Sequence, residues 1–172
     1  MAKRTPLGTI GKGKRGISTF GWVLRGAAAG AAGTTALNAV TYLDMAVRGR
    51  GTSSTPEDTV EALADKVHVS IPGDEEKRQN RLQGLGPITG IAAGIGVGVL
   101  TALARAAGFR SQPAVGTGLI TAGVLVAANG PMTALGITDP RTWSRTDWLS
   151  DVVPHLAYAV VVKTTMDAFD RP

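Results

Sequence analysis

The chain has 172 residues, 44% hydrophobic and 18% charged, with no cysteine and a formal net charge of +5. The lack of cysteine excludes disulfides, thiolate metal sites and cysteine nucleophiles, and the length holds one domain with no room for a second large one. Mean hydropathy is only +0.11 because Gly and Ala fill the apolar stretches while the polar ends and one charged loop dilute the average.

Three runs carry no charged side chain: Gly26 to Leu43, Leu82 to Ala104 and Ser111 to Thr138. The shortest covers about 27 Å as a helix, close to the hydrocarbon thickness of a bilayer. The expected fold class is therefore all-α: an integral membrane bundle of four transmembrane helices with a short amphipathic helical outer loop. Residues 1–18 form a basic arm carrying Lys3, Arg4, Lys12, Lys14 and Arg15, and with Arg25 these precede the first acidic residue, Asp44. By the positive-inside rule the arm is cytoplasmic, with anionic lipid headgroups as its expected counter-charge. Nucleic acid is not expected as a partner, because no aromatic stacking platform accompanies the arm. The small residues Ala27 to Ala32 resemble a signal-peptide cleavage region, but they follow Arg25 directly and the apolar run continues through Leu37, Val40 and Leu43. They read as a retained helix.

Residues 19–172 make the membrane domain. The first span is expected over residues 19–47, opened by Phe20 and Trp22 and closed by Tyr42. Residues 48–86 form the outer loop, in which Thr55 caps a helix with Pro56 at its first position and Glu57 and Asp58 complementing its dipole. Val60, Leu63, Ala64 and Val67 recur at helical spacing, giving a stripe expected to lie on the outer leaflet or the bundle, or else to dock a partner. A second short helix is expected from Gly73-Asp74 through Arg81. The second span, 87–107, begins at Pro87 and the third, 113–130, at Pro113, where a missing amide proton costs nothing; Asn129-Gly130-Pro131 ends the third. The fourth, 147–169, has a short uncharged stretch between Asp151 and Lys163, and Pro154 can kink it, so an interfacial helix is the alternative. Trp143 and Trp148 before it and Phe169 after it mark two interfaces and favour spanning. Lys163 then snorkels to the inner surface and the C-terminus is cytoplasmic.

Gly94, Gly96 and Gly98 invite a dinucleotide-binding reading, but Val99 stands where the third Gly belongs and no strand precedes them. Gly26 and Gly30, and Gly90, Gly94 and Gly98, are spaced by four and read as helix-packing faces. Asp44, Asn129, Asp147, Asp151 and His155 all fall toward the outer end and form the candidate polar cluster, since ionisable groups within a membrane usually face a bundle interior or a wet cavity. Carboxylates one and two turns from an imidazole make it a candidate for proton response. Each residue also has a plain role: Asp44 can pair with Arg48, Asp147 and Asp151 can complement the helix dipole, His155 can bond a neighbouring helix, and Lys163 can pair with Asp167. His155 stands alone among strong ligands, so no metal or cofactor is expected.

Gly136-Ile-Thr-Asp-Pro140, with Trp143, Trp148, Asp151, His155 and Tyr158, resembles the C-terminal part of the YagU-like family of small bacterial inner-membrane proteins. With Asn129-Gly130-Pro131, the segment is also similar to uncharacterised four-span proteins of actinobacteria. The resemblance covers about the last quarter of the chain; the long charged loop departs from it. It implies a bacterial plasma-membrane helical bundle without an established biochemical activity, and the family's link to acid tolerance would fit His155. No nucleophile and base are placed together, so no enzyme is expected. The expected function is a structural or accessory membrane protein, a homo-oligomer or subunit of a larger complex. The alternative is a small transporter, channel or proton-responsive protein using Asp44, Asp151 and His155.

Overall fold

The computed structural model describes residues 17–170, so the lipid-binding candidates Lys3, Arg4, Lys12, Lys14 and Arg15 lie outside the described residues. Within them the fold is all-helical: α1 (Thr19–Arg48), α2 (Thr55–Lys66), α3 (Glu75–Ala106), α4 (Pro113–Ala134), a 3-10 turn (Pro140–Thr142) and α5 (Arg145–Phe169). Two of these, α3 and α4, are long and apolar enough to cross a membrane, and in each only 22% of the apolar window is buried inside the bundle. The helix in the core of a soluble protein would bury most of such a window.

Local signals set most helix ends. The Ser18 hydroxyl accepts from the Gly21 amide to start α1, and Gly49 ends it at φ 64°. Asp74 accepts from the Lys77 amide to start α3. Ser144 and Asp147 form a reciprocal capping box at the start of α5.

Two expected breaks do not occur. Pro87 lies inside α3, which fuses the expected short outer helix with the span. A proline costs one hydrogen bond and crowds the preceding turn, and here α2 braces that turn from outside. A Cβ on Gly86 would sit 3.1 Å from the backbone of Pro56 and Glu57, and Leu82 beside it is buried. Pro131 likewise lies inside α4, which runs past Asn129-Gly130 to Ala134. The stop comes at Gly136, at φ 74°. Its amide bonds the Thr133 carbonyl at 3.1 Å and the Ile137 amide bonds that of Met132 at 2.9 Å, the paired bonds of a Schellman ending.

The stripe of α2 is only partly covered by the bundle. The buried residue of α2 is Thr59, while Leu63 and Val67 stay exposed. α2 is held to α3 where Gly86 meets the Pro56 and Glu57 backbone and by an ion pair from Arg78 to Glu61.

The helices alternate in direction, with α1 between α3 and α5. Along the α1–α3 seam a Cβ on Gly26 would lie 2.6 Å from the Val99 Cα, and one on Gly30 would lie 2.7 Å from the Gly94 carbonyl oxygen and 2.8 Å from the Ile95 Cα. A Cβ on Gly98 would meet the Gly30 Cα at 2.6 Å, and one on Gly94 would collide with the Thr34 hydroxyl. The backbones therefore touch, as small-residue faces permit. Gly90 is the exception: a Cβ there meets nothing within 4 Å, because α3 has drawn away from α1 at that level. Against α5, Gly33 makes room for the Tyr158 ring, 2.7 Å from its would-be Cβ. Tyr158 donates to the Gly94 carbonyl at 2.5 Å. The core gathers around it: Ala29, Ala102, Ile120, Val124, Ala159, Val162 and Met166.

Candidate functional site

The five polar residues expected to converge at the outer end divide into three groups. Asp44, at the end of α1, accepts from Arg48 at 3.2 Å and from Arg50 at 2.5 Å. Arg48 also donates to the Ser150 hydroxyl at 2.6 Å, tying the end of α1 to α5. A cavity of about 310 Å³ lies at this junction, lined by Asp44, Arg48, Ser150 and apolar neighbours. Asp147 is spent on the α5 capping box, accepting from the Ser144 amide at 2.9 Å and its hydroxyl at 2.7 Å.

Only Asn129, Asp151 and His155 come together. The Asn129 amide donates to Asp151 Oδ2 at 2.8 Å, joining the end of α4 to α5. His155 Nδ1 lies 2.7 Å from the Asp151 main-chain oxygen and 3.4 Å from its Oδ1, with His155 8% exposed. In place of the expected single outward pocket stands a half-buried triad beside two other arrangements, an ion-pair group and a helix cap. The physical reason is local supply: Asp44 has two arginines within six residues, and Asp147 has an open helix start three residues before it.

A second polar cluster, at the other end, is larger. Arg105 of α3 donates to Asp167 at 2.5 Å and to Asp170 at 2.9 Å. Arg110, in the turn after α3, reaches Asp170 at 2.6 Å, and Lys163 reaches Asp167 at 2.6 Å. Arg105 and Lys163 have side chains only 10% exposed. Arg25 of α1 donates to the Phe169 carbonyl at 3.1 Å, a cation on the C-terminal dipole of α5, and lies 5.6 Å and 5.5 Å from the centres of the Trp22 and Phe169 rings. Sequence spacing singled out the Lys163–Asp167 pair and missed Arg105, Arg110 and Asp170. Their signal was present as the charges that bound an uncharged span, all at one end of the bundle.

Between the two clusters the interior is closely packed and uncharged, and its buried Thr34 and Tyr158 hydroxyls are bonded to the Gly30 and Gly94 carbonyls. Tyr158, Ala159 and Val162 of α5, two to three turns of helix separating His155 from Met166, are all 0% exposed. Outside the bundle, the loop after α4 is braced by the Trp143–Trp148 edge-to-face contact at 5.1 Å and by Trp143 Nε1 donating to Thr138 at 2.8 Å. Arg141 grips Asp139 there at 2.8 Å and holds its carboxyl below the ordinary value of 3.8. Among the described residues no three metal-ligating side chains cluster.

No protein-family model, curated protein or solved structure matches the chain.

Proposed function

We propose that the chain is a non-catalytic integral membrane protein of accessory or scaffold type, crossing a bacterial plasma membrane four times through α1, α3, α4 and α5 with both termini cytoplasmic. The observation that carries this reading is the sealed middle of the bundle. The polar groups at each end are tied up in pairs and caps within the chain, and Tyr158, Ala159 and Val162 close the space between them at 0% exposure. A path for ions would need polar steps there. The outer surface supplies a reason to associate instead: Phe20, Leu43, Leu100, Val126 and Leu149 are all more than half exposed, as lipid-facing or partner-facing positions must be. The Gly26, Gly30, Gly94 and Gly98 faces are consumed inside the bundle, so a second copy or a foreign subunit would meet these apolar flanks. The similarity to the YagU-like family, carried by Gly136 to Tyr158, agrees in kind and adds no activity.

A second reading rests on one arrangement. His155, 8% exposed, shares Asp151 with Asn129 across the α4–α5 contact, so a change of protonation at this joint would alter how the two helices meet. Mass measurement of the assembly extracted in mild detergent separates the two. The accessory reading expects a self-assembled complex or a stoichiometric foreign subunit. A lone monomer that conducts protons or solutes after reconstitution in vesicles would overturn it, and loss of that flux in His155→Gln would establish the second reading.

A further inference from the structure

The helices α3 and α4 are joined by a short turn yet do not close on each other. A cleft of about 580 Å³ opens between them, its walls formed by Val97, Leu100, Leu119, Gly123 and Val126, and its end by Arg105, Arg110, Ser111 and Lys163. Leu100 is 66% and Val126 70% exposed, so the cleft faces outward into what the proposed function makes lipid. From Gly116 to Ala127 its α4 wall rises about 17 Å at about 1.5 Å per residue, roughly half of a hydrocarbon core about 30 Å thick. That is the depth of one leaflet.

The charged end is unbalanced. Arg105, Arg110 and Lys163 face the two carboxylates Asp167 and Asp170, three positive charges against two negative. Donors are also left over. Lys163 gives one bond to Asp167 and Arg110 one to Asp170, whereas an ammonium carries three N–H donors and a guanidinium five. The first turn of α4 forms the adjoining wall and begins without a side-chain cap or an acidic residue. An apolar trough one leaflet deep, ending in a net positive, donor-rich mouth at the level of the membrane surface, matches an acyl chain joined to an anionic headgroup.

We propose that the α3–α4 cleft holds one anionic phospholipid, its acyl chain lying against Leu100, Leu119 and Gly123 and its phosphate at Arg110 and Lys163. The site is built from α3, α4, the turn between them and α5 and draws on none of the basic residues of the N-terminal arm, and the proposal rests on the membrane reading above. Charge at a membrane surface draws anionic lipid to any basic segment; the cleft adds shape, and shape is what makes the lipid stay through detergent.

The test uses the full chain extracted in mild detergent, with phosphatidylglycerol and phosphatidylcholine of identical chains added in turn and retained lipid read by intact-complex mass. Phosphatidylglycerol should be retained at one molecule per chain, at least about fivefold better than phosphatidylcholine, the weight of one basic side chain near an anionic surface. Arg110→Gln, at a side chain 62% exposed, should erase about fivefold of that preference. Gly123→Phe, where a Cβ meets nothing within 4 Å, should block the trough and lower retention of both lipids with every charge intact. Inorganic phosphate should not compete. Equal retention of the two lipids, full retention in Gly123→Phe, or displacement by inorganic phosphate would each overturn the proposal. A chain that stays in solution without detergent would overturn the membrane reading beneath it, whereas a membrane-bound chain without lipid preference would remove the cleft proposal alone.

Discussion

The α1–α3 seam and the α3–α4 cleft are built from the same material and end in opposite states. Both pairs are rich in glycine, and both involve α3. In the seam, a carbon added at Gly26, Gly30 or Gly98 would fall within 2.8 Å of the opposing backbone, and one added at Gly94 would strike the Thr34 hydroxyl. In the cleft wall a Cβ on Gly123 would meet nothing within 4 Å, and one on Gly116 would meet the Ser111 hydroxyl and the stem of Lys163 on α5 instead of α3. Glycine permits close approach but does not drive it. The backbones come together where both helices present small residues at one level, and stay apart where Leu100 of α3 stands opposite the glycine-bearing wall of α4.

The sharpest way to break this contrast is to add bulk on each side of it. Gly30→Leu forces a branched side chain into the Gly94 carbonyl and the Ile95 Cα. We expect a loss of about 3 kcal/mol or more, since overpacking a rigid backbone contact lies at the upper end of the usual range. Gly90→Leu, on the same face of α3 by spacing, should cost within about 0.5 kcal/mol, as for a site without close neighbours. Thermal unfolding in detergent measures both. Equal losses at the two positions would mean that helix spacing, not contact, decides, and the seam would lose its special standing.

This pair also shows what the sequence could and could not reveal. Spacing by four grouped Gly90 with Gly94 and Gly98, because periodicity reports a face and not how far along that face the neighbour extends. Gly33 was invisible for the complementary reason: its partner is the Tyr158 ring, 125 positions away by residue number. Local chemistry was largely legible. The α1 limits and the Pro113 start follow from caps and φ preferences that act within one turn, whereas α2 begins one residue before the expected position: Thr55 is its first residue and Ser54 holds the cap position without a side-chain cap bond. Pro87 and Pro131 misled because a proline weakens a helix locally, while bracing by α2 at Gly86, or the next available left-handed glycine at 136, decides where the helix ends. At the polar ends the same division holds. Asp147 and Asp44 found partners within six residues, whereas Arg105 and Asp167 are brought together only by the parallel course of α3 and α5.

That long-range pairing supplies the next test. Arg105→Gln removes the side chain that links α3 to both Asp167 and Asp170 beneath the cleft. Asp167 keeps Lys163 and Asp170 keeps Arg110, so the loss should be about 1–2 kcal/mol, below the roughly 3–5 kcal/mol expected when a buried charge is left with no partner. The double variant Arg105→Gln with Lys163→Gln strips Asp167 of both cations and should lose more than the sum of the single changes. Additive losses, read from unfolding midpoints in detergent, would show that the three groups act separately and that the closed end of the cleft is not one network.

At the end of the bundle that the proposed topology makes outer, the Asn129–Asp151 bond is a single neutral donor on a carboxylate joining α4 to α5. Asn129→Ala should cost about 1–2 kcal/mol, since it leaves the half-buried Asp151 short of one donor. It should also loosen the contact between the end of α4 and the start of α5, seen as faster amide exchange over residues 126–134 with α1 and α3 unchanged. Uniform exchange across all four long helices would instead mean that the outer end melts with the bundle as one unit.

The smallest effect belongs to Asp139, outside the bundle. Its carboxylate is gripped by Arg141, whose side chain is 89% exposed, and an exposed pair of this kind contributes little to stability. Asp139→Asn keeps an oxygen to accept from the Arg141 amide, so it removes the charge while sparing the cap. The sign follows from the lowered carboxyl: a group that loses its proton more readily when folded contributes stability above its ordinary value of 3.8 and gives it up as pH falls through the folded value. Wild type should therefore unfold marginally later than Asp139→Asn near neutrality, and the gap should close as pH falls below 3.8 and through the lower folded value. Salt near 1 M should close it too, because the screening length there is about 3 Å. A gap that survives both acid and salt would mean that charge is not what separates Asp139 from its amide, because the bond from the Arg141 amide is common to both; no gap at any pH would mean that the exposed pair adds nothing and that the loop after α4 is held by capping and by the Trp143–Trp148 contact.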